Sequence, residues 1–375
     1  MSLRETIINE FINLVKIDSL SFEEEKVFDY ILQRLEGLNL KKVLQSYSVE
    51  EIGKKSANLI VKIPANTENA TSIFFDAHVD TVEPGREIKP LIDREKGRIE
   101  SSKDTILAAD DKAAVAAMLV AINKILGENF PHGDLYFIFT SAEEIGLVGI
   151  QHFDFSVIKP DFGFVLDSHG KVGRIVISAP YHYKYTIRVK GKASHAGIEP
   201  EKGINAIKIA ARIVAKLPQG RVNRNTVANV GVIEGGKATN IVPDECEITG
   251  EFRSINLFDL EKVKSEVVQI VDNFKKYAIG IELELRELYK GFKFERNDDV
   301  IKFVRKALKS MGIKPVYEKS CGGSNTNIYN QNGIKCVTIS TGMMNVHSTD
   351  EYIEVDDLEA LVNLILTLCR QTFRN

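Results

Sequence analysis

The chain has 375 residues, which at about 150 residues per domain corresponds to two or three domains, or to one large domain with an insertion. A composition of 44% hydrophobic and 27% charged residues with a net charge of −3 argues against an intrinsically disordered chain and against a basic surface for nucleic acids or anionic membranes. The four cysteines form no Cys-x-x-Cys pair, and the sequence begins without a signal-peptide pattern and contains no apolar stretch of membrane-spanning length. We therefore expect a cytoplasmic protein without a disulfide framework.

Short apolar runs alternate with helical patterns over the first 180 residues. The predicted strands are 58–63, 72–77, 135–140, 162–166 and 174–178, and the predicted helices are 23–35 and 112–126. This alternation predicts an α/β domain. Some of the connections are too short for a crossover helix, so we expect the sheet to be mixed.

The pattern changes from Tyr181, where apolar and polar residues alternate with the period of a strand that has one wet face. The predicted order is strand 183–189, helix 204–217, strands 227–233 and 246–253, helix 260–277 and strand 281–288. This is a βαββαβ unit of the ferredoxin-like α+β type. The alternation of strand and helix patterns typical of an α/β domain then returns, with helices at 300–310 and 355–370 and a strand at 335–340. We therefore expect a discontinuous catalytic domain, 1–180 and 290–375, into which a domain of residues 181–289 is inserted.

Acidic residues and one histidine follow the predicted strands or precede a predicted helix. They are His78, Asp80, Asp110, Asp111, Glu143, Glu144 and Asp167. Each one alone would be interpreted as a solvated turn or a helix cap. Ligands of open α/β sheets bind beyond the carboxyl ends of the strands, so these side chains are expected at one edge. Carboxylates gathered there would repel one another unless cations neutralised them, and the set predicts a metal site.

The ligand types narrow the choice of metal. Histidine and carboxylates without cysteine suit zinc, or else cobalt or manganese. In His78-x-Asp80, the carboxylate can reach the imidazole edge that faces away from the metal. Asp110 has two oxygens with which it could bridge two cations. Glu143 and Glu144 cannot point the same way on an extended segment, so one can bind metal while the other acts as a base.

Several motifs together resemble the M20 family of dinuclear zinc exopeptidases, and most of all its peptidase T (tripeptidase) branch. They are FDAHVDTV, LAADDKAAVA, TSAEEIG, LDS, GKASHAG, GGKATNIVPDECEITGEFRS, CGGSNTN and MNVHSTDEYI, in family order over nearly the whole chain. The resemblance implies a zinc-exopeptidase catalytic domain whose inserted domain serves as a lid and pairs with a second copy of the chain. It also implies a cis peptide bond between Asp110 and Asp111.

The resemblance assigns metal ligands and catalytic groups. It implies that one zinc ion is bound by His78, Asp110 and Asp167, and a second by Asp110, Glu144 and His347. Glu143 would be the general base, and Asp80 would orient His78. His195 of SHAG would reach the active site of the other subunit and stabilise the oxyanion. Without the resemblance, His195 and His347 would each be interpreted as an ordinary loop histidine.

The resemblance also implies a set of substrate-binding residues. Arg253 and Asn240 match residues that hold the carboxylate or backbone of the substrate, although an arginine at a strand end is more often part of a surface salt bridge. Gly322 and Gly323 match a glycine loop near the substrate. Asn325 stands where many relatives carry Asp. Histidines outside the motifs, among them His182, are expected at surface or turn positions.

We therefore predict a metal-dependent exopeptidase, most specifically a tripeptide aminopeptidase, with two Zn²⁺ per subunit and Co²⁺ or Mn²⁺ as possible substitutes. The short peptide substrate would be cleaved by a bridging water that Glu143 deprotonates. The expected assembly is a homodimer through the inserted domain, with no nucleic-acid or membrane partner. An N-acyl amino acid deacylase that uses the same site is the alternative within hydrolases. A metal- or peptide-binding protein without catalysis is the alternative outside them.

Overall fold

A computed structural model describes residues 1–373. The chain forms two compact units. The larger unit comprises residues 1–177, 294–319 and the chain from Ser324 onward, and the smaller unit comprises residues 178–293 and 320–323. None of the described helices is long and apolar enough to cross a membrane.

The helices and strands are numbered separately in chain order. The helices are α1 (Leu3–Val15), α2 (Glu25–Arg34), α3 (Ala109–Glu128), α4 (Val148–Gln151), α5 (Ala206–Val214), α6 (Leu257–Phe274), α7 (Asp299–Ser310), α8 (Asn325–Gln331) and α9 (Val355–Gln371). The strands are β1 (Lys41–Val49), β2 (Lys54–Ile63), β3 (Ile73–His78), β4 (Leu91–Asp93), β5 (Arg98–Glu100), β6 (Leu135–Thr140), β7 (Phe162–Ser168), β8 (Arg174–Ala179), β9 (Tyr181–Lys190), β10 (Gly220–Asn223), β11 (Thr226–Gly235), β12 (Glu245–Ser254), β13 (Gly280–Tyr289), β14 (Phe292–Lys293), β15 (Val316–Lys319), β16 (Cys336–Ser340), β17 (Met343–Met344) and β18 (Tyr352–Glu354). Short 3-10 turns lie at Glu50–Ile52, Phe155–Val157, Pro200–Lys202 and Lys275–Tyr277.

The main sheet of the larger unit is mixed, as predicted. Its strands follow the order β1-β2-β6-β3-β7-β16-β8, and β15 also pairs with β8. The pairs β6·β3, β3·β7 and β7·β16 are parallel, whereas β1·β2, β2·β6 and β16·β8 are antiparallel. The parallel strands β3, β6 and β7 therefore finish at the same edge of the sheet.

Buried aromatic rings and an alanine-rich helix form the core of the larger unit. The rings of Phe75, Phe137 and Phe164 come from the three central strands. The centroid of the Phe75 ring lies 5.4 Å from that of Phe137 and 5.7 Å from that of Phe164. Helix α3 packs against β3, α1 and α9 and is buried along most of its length. Because it is covered on several sides, α3 is apolar nearly all round, and its many alanines permit close packing.

The smaller unit has the predicted α+β character. Its sheet is antiparallel with the order β10-β11-β12-β9-β13. Helices α5 and α6 bury Ile209, Ile213, Val263 and Val267 in a core that they share with Ile248 of β12. The short strand β10 adds a hairpin partner for β11 that the βαββαβ prediction did not include.

Candidate metal centre

His78 is the last residue of β3, and its imidazole is almost completely buried. Its Nδ1 atom lies 3.0 Å from the main-chain oxygen of Asp80, which can only accept, so Nδ1 carries the proton and donates it. Nε2 is then on the opposite side of the ring, where it faces the Asp110 carboxylate. The Asp80 carboxylate is farther away, with Oδ1 at 3.6 Å from Nδ1. The main-chain oxygen of Asp80 is thus the nearer partner of His78.

Asp110 occupies an irregular turn at the start of α3. Ala108 has a left-handed conformation with φ of 61°, Asp110 is non-helical, and the Asp110–Asp111 peptide bond is cis, as the resemblance implied. This turn directs the Asp110 carboxylate to two imidazoles. Oδ1 lies 3.0 Å from His78 Nε2, and Oδ2 lies 3.2 Å from His347 Nε2.

The remaining predicted ligands lie around these three groups. Glu144 Oε1 is 2.9 Å from His347 Nε2, and Asp167 Oδ1, from the end of β7, is 3.9 Å from His78 Nε2. Ligand atoms of His78, Asp110 and Glu144 all lie within 4.8 Å of one another and could hold a metal ion. The structure therefore brings all five predicted ligands together, in two groups that share Asp110.

The Asp80 carboxylate holds the loop that follows β6. It is fully buried, and its two oxygens accept hydrogen bonds from the main-chain N–H groups of Glu143 at 2.9 Å and Glu144 at 3.2 Å. The Ser21 hydroxyl donates to it as well, at 2.6 Å. Among residues 1–373, no hydrogen bond engages the Glu143 carboxylate itself. Glu144 thus faces His347, while the neighbouring Glu143 carboxylate stays free.

Electrostatics at this edge favour a bound cation. Burial, together with the charge of Asp167, raises the pKa of Glu143 well above its usual range, and burial with the charge of Asp110 does the same for Asp167. Hydrogen bonds to Asp110 and Glu144 raise the pKa of His347 to about 10. Both oxygens of Asp111 are buried without a hydrogen-bond partner among the described residues. Divalent cations fit this set of imidazole and carboxylate donors, because they would neutralise the acidic groups.

Two buried glutamates near the centre were missed by the sequence analysis. Glu24 accepts hydrogen bonds from the N–H groups of Phe22 and Ala142 at 2.8 and 3.0 Å, and Ala142 directly precedes Glu143. Glu351 is fully buried and accepts hydrogen bonds from main-chain N–H groups of the turn that contains Asp110. The available signal for Glu351 was its position four residues after His347 in the motif MNVHSTDEYI.

His195 and Asn240 lie on adjacent loops of the smaller unit. The main-chain N–H of Ala196 donates to Asn240 O at 2.9 Å, and His195 forms an isolated bridge with Ile241. The N–H of Gly197 donates to His195 Nδ1 at 3.2 Å. Because Nδ1 accepts, the proton of the neutral ring is on Nε2, which leaves an exposed N–H donor.

Arg253 is paired within the smaller unit. Its Nε and Nη2 atoms donate to the two carboxylate oxygens of Glu251 at 2.9 and 3.2 Å, which occupies one side of the guanidinium. His182 Nε2 donates to Glu251 Oε2 at 2.9 Å. The expectation of a surface or turn position for His182 was wrong, because it is buried within β9, opposite Arg253 on the neighbouring strand. The hydrogen bond from His182, assisted by Arg253, lowers the pKa of Glu251 to about 2.

The glycine motif is divided between two environments. Gly322 is exposed and its N–H donates to Ser320 Oγ at 2.9 Å, whereas Gly323 packs so closely on Tyr289 that a Cβ atom there would lie 2.3 Å from the ring. Asn325 belongs to α8 of the larger unit, where it is buried and donates to Asp76 Oδ1 at 2.9 Å. Asn325 therefore has a structural partner within the fold.

Comparisons with known proteins give consistent results. Residues 181–278 match the family of M20 peptidase dimerisation domains, and residues 58–185 match peptidase family M28. The uncharacterized protein YqjE of Bacillus subtilis is 36% identical, over 97% of this chain and 98% of its own length. The crystal structure of aminopeptidase PepT from Bacillus cereus is 36% identical with a TM-score of 0.87, and that of a tripeptidase from Staphylococcus aureus is 31% identical with a TM-score of 0.89. Each of these two alignments covers 98% of both chains.

Proposed function

The chain belongs to the M20 peptidase family, and from this premise we propose that it is a tripeptide aminopeptidase with a two-metal active site. The predictions of the family and of a metallopeptidase enzyme are confirmed. One observation carries the proposal most strongly, namely the placement of the two imidazoles of His78 and His347 against different oxygens of Asp110. Full-length similarity to an aminopeptidase and a tripeptidase supports the proposed substrate class.

In this proposal the five ligands divide around Asp110. His78, Asp110 and Asp167 would hold one ion, and Asp110, Glu144 and His347 would hold the other. Nitrogen and carboxylate donors without sulfur favour zinc, with cobalt or manganese as substitutes. Such ions, when bound, supply Lewis-acid polarisation of a peptide carbonyl and lower the pKa of a water molecule.

Glu143 is the proposed general base. Its carboxylate would accept a proton from the attacking water and return it to the amine of the departing product. Hydrogen bonds from the main chain of Glu143 and Glu144 to Asp80 fix the direction of the loop. Asp80 thus serves as a positioning residue for both glutamates and, through its main-chain oxygen, for His78.

The smaller unit supplies the proposed substrate contacts. The Nε2–H of His195 would donate to the oxyanion in the active site of a second subunit, a role that suits its exposed position and its bond from Gly197. The side of the Arg253 guanidinium that Glu251 leaves open would bind a peptide carboxylate. Asn240, adjacent to the His195 loop, would contact the peptide backbone, and we assign Gly322 and Gly323 to the same substrate region.

Replacement of the two adjacent glutamates tests the proposal. Glu143→Ala should lower turnover of a tripeptide by at least about 100-fold, because the proton acceptor is lost, while the bound metal is retained. Glu144→Ala is the matched variant, which should lose metal together with activity. Metal content by elemental analysis and kcat are measured on the same samples. Loss of metal from the Glu143→Ala protein would contradict the role of Glu143 as a base.

A further inference from the structure

Glu351 connects two loops of the candidate metal centre. Its Oε2 atom accepts hydrogen bonds from the N–H groups of Leu107 at 2.7 Å and Ala108 at 2.8 Å, and its Oε1 atom accepts from the N–H of Asp110 at 3.0 Å. The side chain is fully buried. One carboxylate therefore binds three N–H groups of the turn that presents Asp110.

The local backbone explains why this turn requires such a partner. Ala108 is left-handed and Asp110 is non-helical, so the N–H groups ahead of α3 have no carbonyl of a preceding helical turn to bind. Successive N–H groups in such a conformation converge and form a concave site for an anion. Glu351 fills that site from a distant part of the sequence.

The other end of Glu351 is fixed to the segment that contains His347. Its main-chain N–H donates to Ser348 O at 3.2 Å, and its carbonyl accepts from Ser101 N–H at 3.1 Å. The Ser348 hydroxyl donates to Asn345 O at 2.7 Å, which closes the loop on both sides of His347. His347 itself is half exposed, with φ of 59°, so its position depends on this loop.

We propose that Glu351 is a positioning residue that sets the spacing between Asp110 and His347, and thereby controls the affinity for the ion that these two residues would share with Glu144. The inference rests on the proposed ligand set. His78 and Asp167 are on strands of the main sheet, and their positions do not depend on the His347 loop. Both ions would share Asp110, but the other two ligands of the first ion lie on those strands, whereas His347 of the second ion lies on the loop that Glu351 holds. Loss of Glu351 should therefore weaken the ion at Asp110, Glu144 and His347 more than the ion at His78, Asp110 and Asp167.

Two substitutions separate geometry from charge. In Glu351→Gln, the amide presents one oxygen and one NH₂ group, so an N–H donor of the turn must face another donor. Glu351→Asp keeps the charge, but its side chain is one methylene shorter and cannot reach Leu107, Ala108 and Asp110 together. Asp350→Asn is the matched control, because the Asp350 carboxylate is exposed on the same loop and pairs with Lys103.

The experiment is a titration of chelator-treated protein with Zn²⁺ against a competing chelator, with the thermal unfolding temperature of the metal-free protein as a check on the fold. We expect wild type and Asp350→Asn each to bind two ions, and we expect the affinity for each ion to be the same in the two proteins. Glu351→Gln and Glu351→Asp should keep the ion at His78, Asp110 and Asp167. They should bind the ion at Asp110, Glu144 and His347 about 10–100-fold more weakly.

The possible results are distinct. Wild-type affinities in both Glu351 variants, or an equal weakening of both ions, would overturn the inference. If Glu351→Gln fails to fold, Glu351→Asp decides the question, because it keeps the buried charge. Wild-type protein that binds fewer than two ions would refute the two-metal proposal itself, whatever the variants do.

Discussion

Asn325 supports a buried carboxylate behind the candidate metal centre. Its Nδ2 atom donates to Asp76 Oδ1 at 2.9 Å and to Thr140 Oγ1 at 2.8 Å, and the Tyr329 hydroxyl donates to the other oxygen of Asp76 at 2.9 Å. Burial raises the pKa of Asp76 to about 6, although these hydrogen bonds favour its charged form. Asp76 lies two residues before His78 on β3, so the amide at position 325 stabilises the strand that carries a proposed ligand.

Asn325→Asp should therefore destabilise the protein, by about 2–3 kcal/mol near neutral pH. A second carboxylate beside Asp76 raises the pKa of the pair further, so the folded state favours the protonated form. Stability should accordingly be lost as the pH rises through that pKa, and urea unfolding should show a larger deficit at about pH 8 than at about pH 5. The double variant Asp76→Asn/Asn325→Asp restores one acid and one amide and should recover most of the loss. Equal stability of Asn325→Asp and wild type at the higher pH would contradict this account.

The predictability of single residues depends on where they lie. His78 and Asp167 end parallel strands, so an apolar run followed by an acid or a histidine was sufficient to place them at one edge. His347 lies in a loop, and only the family resemblance identified it. Glu351 acts through main-chain N–H groups that are distant in sequence, as Glu24 does through Ala142, and an acidic residue in such a segment is normally interpreted as solvated.

At the scale of elements, a glycine permits the close packing of β3 and β7. Gly163 is the register partner of Phe74, and a Cβ atom at this position would lie 2.0 Å from the Phe74 ring. The same ring packs on Tyr329 of α8, with centroids 4.4 Å apart, so it cannot move away freely. The close approach of the Phe74 ring to β7, with α8 on its other side, thus requires glycine at position 163.

Gly163→Ala should lower the free energy of unfolding by about 1–3 kcal/mol, because the added methyl group overpacks the core. Gly127→Ala is the control, since Gly127 lies exposed near the end of α3 with no atom within 4 Å of its Cβ position. That change should be neutral or stabilise the protein by up to about 1 kcal/mol. Denaturant unfolding compares the two, and a Gly163→Ala protein as stable as wild type would contradict the packing argument.

The elements that the sequence predicted are those with a strong apolar pattern. Strand β6 lies at the predicted residues 135–140, because all six of its residues are buried. Strand β1 was missed because it is a partly exposed edge strand in which polar residues interrupt the apolar pattern. Helix α8 was missed because its sequence, NTNIYNQ, is polar, although Asn325, Thr326 and Asn327 are buried and form hydrogen bonds.

At the scale of the whole molecule, the smaller unit has an open strand edge that suits pairing with a second copy. β10 pairs with β11 only over residues 226–228, and no described strand pairs with that edge of residues 229–235. Val232 and Ile233 on this segment are 49% and 46% exposed. An unpaired apolar edge can add the equivalent strand of another copy around a two-fold axis, as the match to a dimerisation domain suggests.

For the homodimer that we propose, Ile233→Lys should therefore shift the mass from that of a dimer to that of a monomer, because a charged side chain on the edge opposes strand pairing. Light scattering coupled to size-exclusion chromatography measures the mass. Leu44→Lys is the control, since Leu44 is 51% exposed on β1 of the larger unit, and it should leave the dimer intact. An unchanged mass for Ile233→Lys would show that this edge is not the interface.

The measurement that tests the central claim most directly is the release of amino acids from a panel of substrates by the zinc-loaded enzyme, with Glu143→Ala as the blank. The panel contains dipeptides, tripeptides, tetrapeptides and N-acetyl amino acids. We predict that the wild-type enzyme releases the amino-terminal residue of tripeptides faster than it hydrolyses any other class, and that Glu143→Ala does not. Preferential hydrolysis of N-acetyl amino acids would contradict the aminopeptidase assignment and identify a deacylase that uses the same residues.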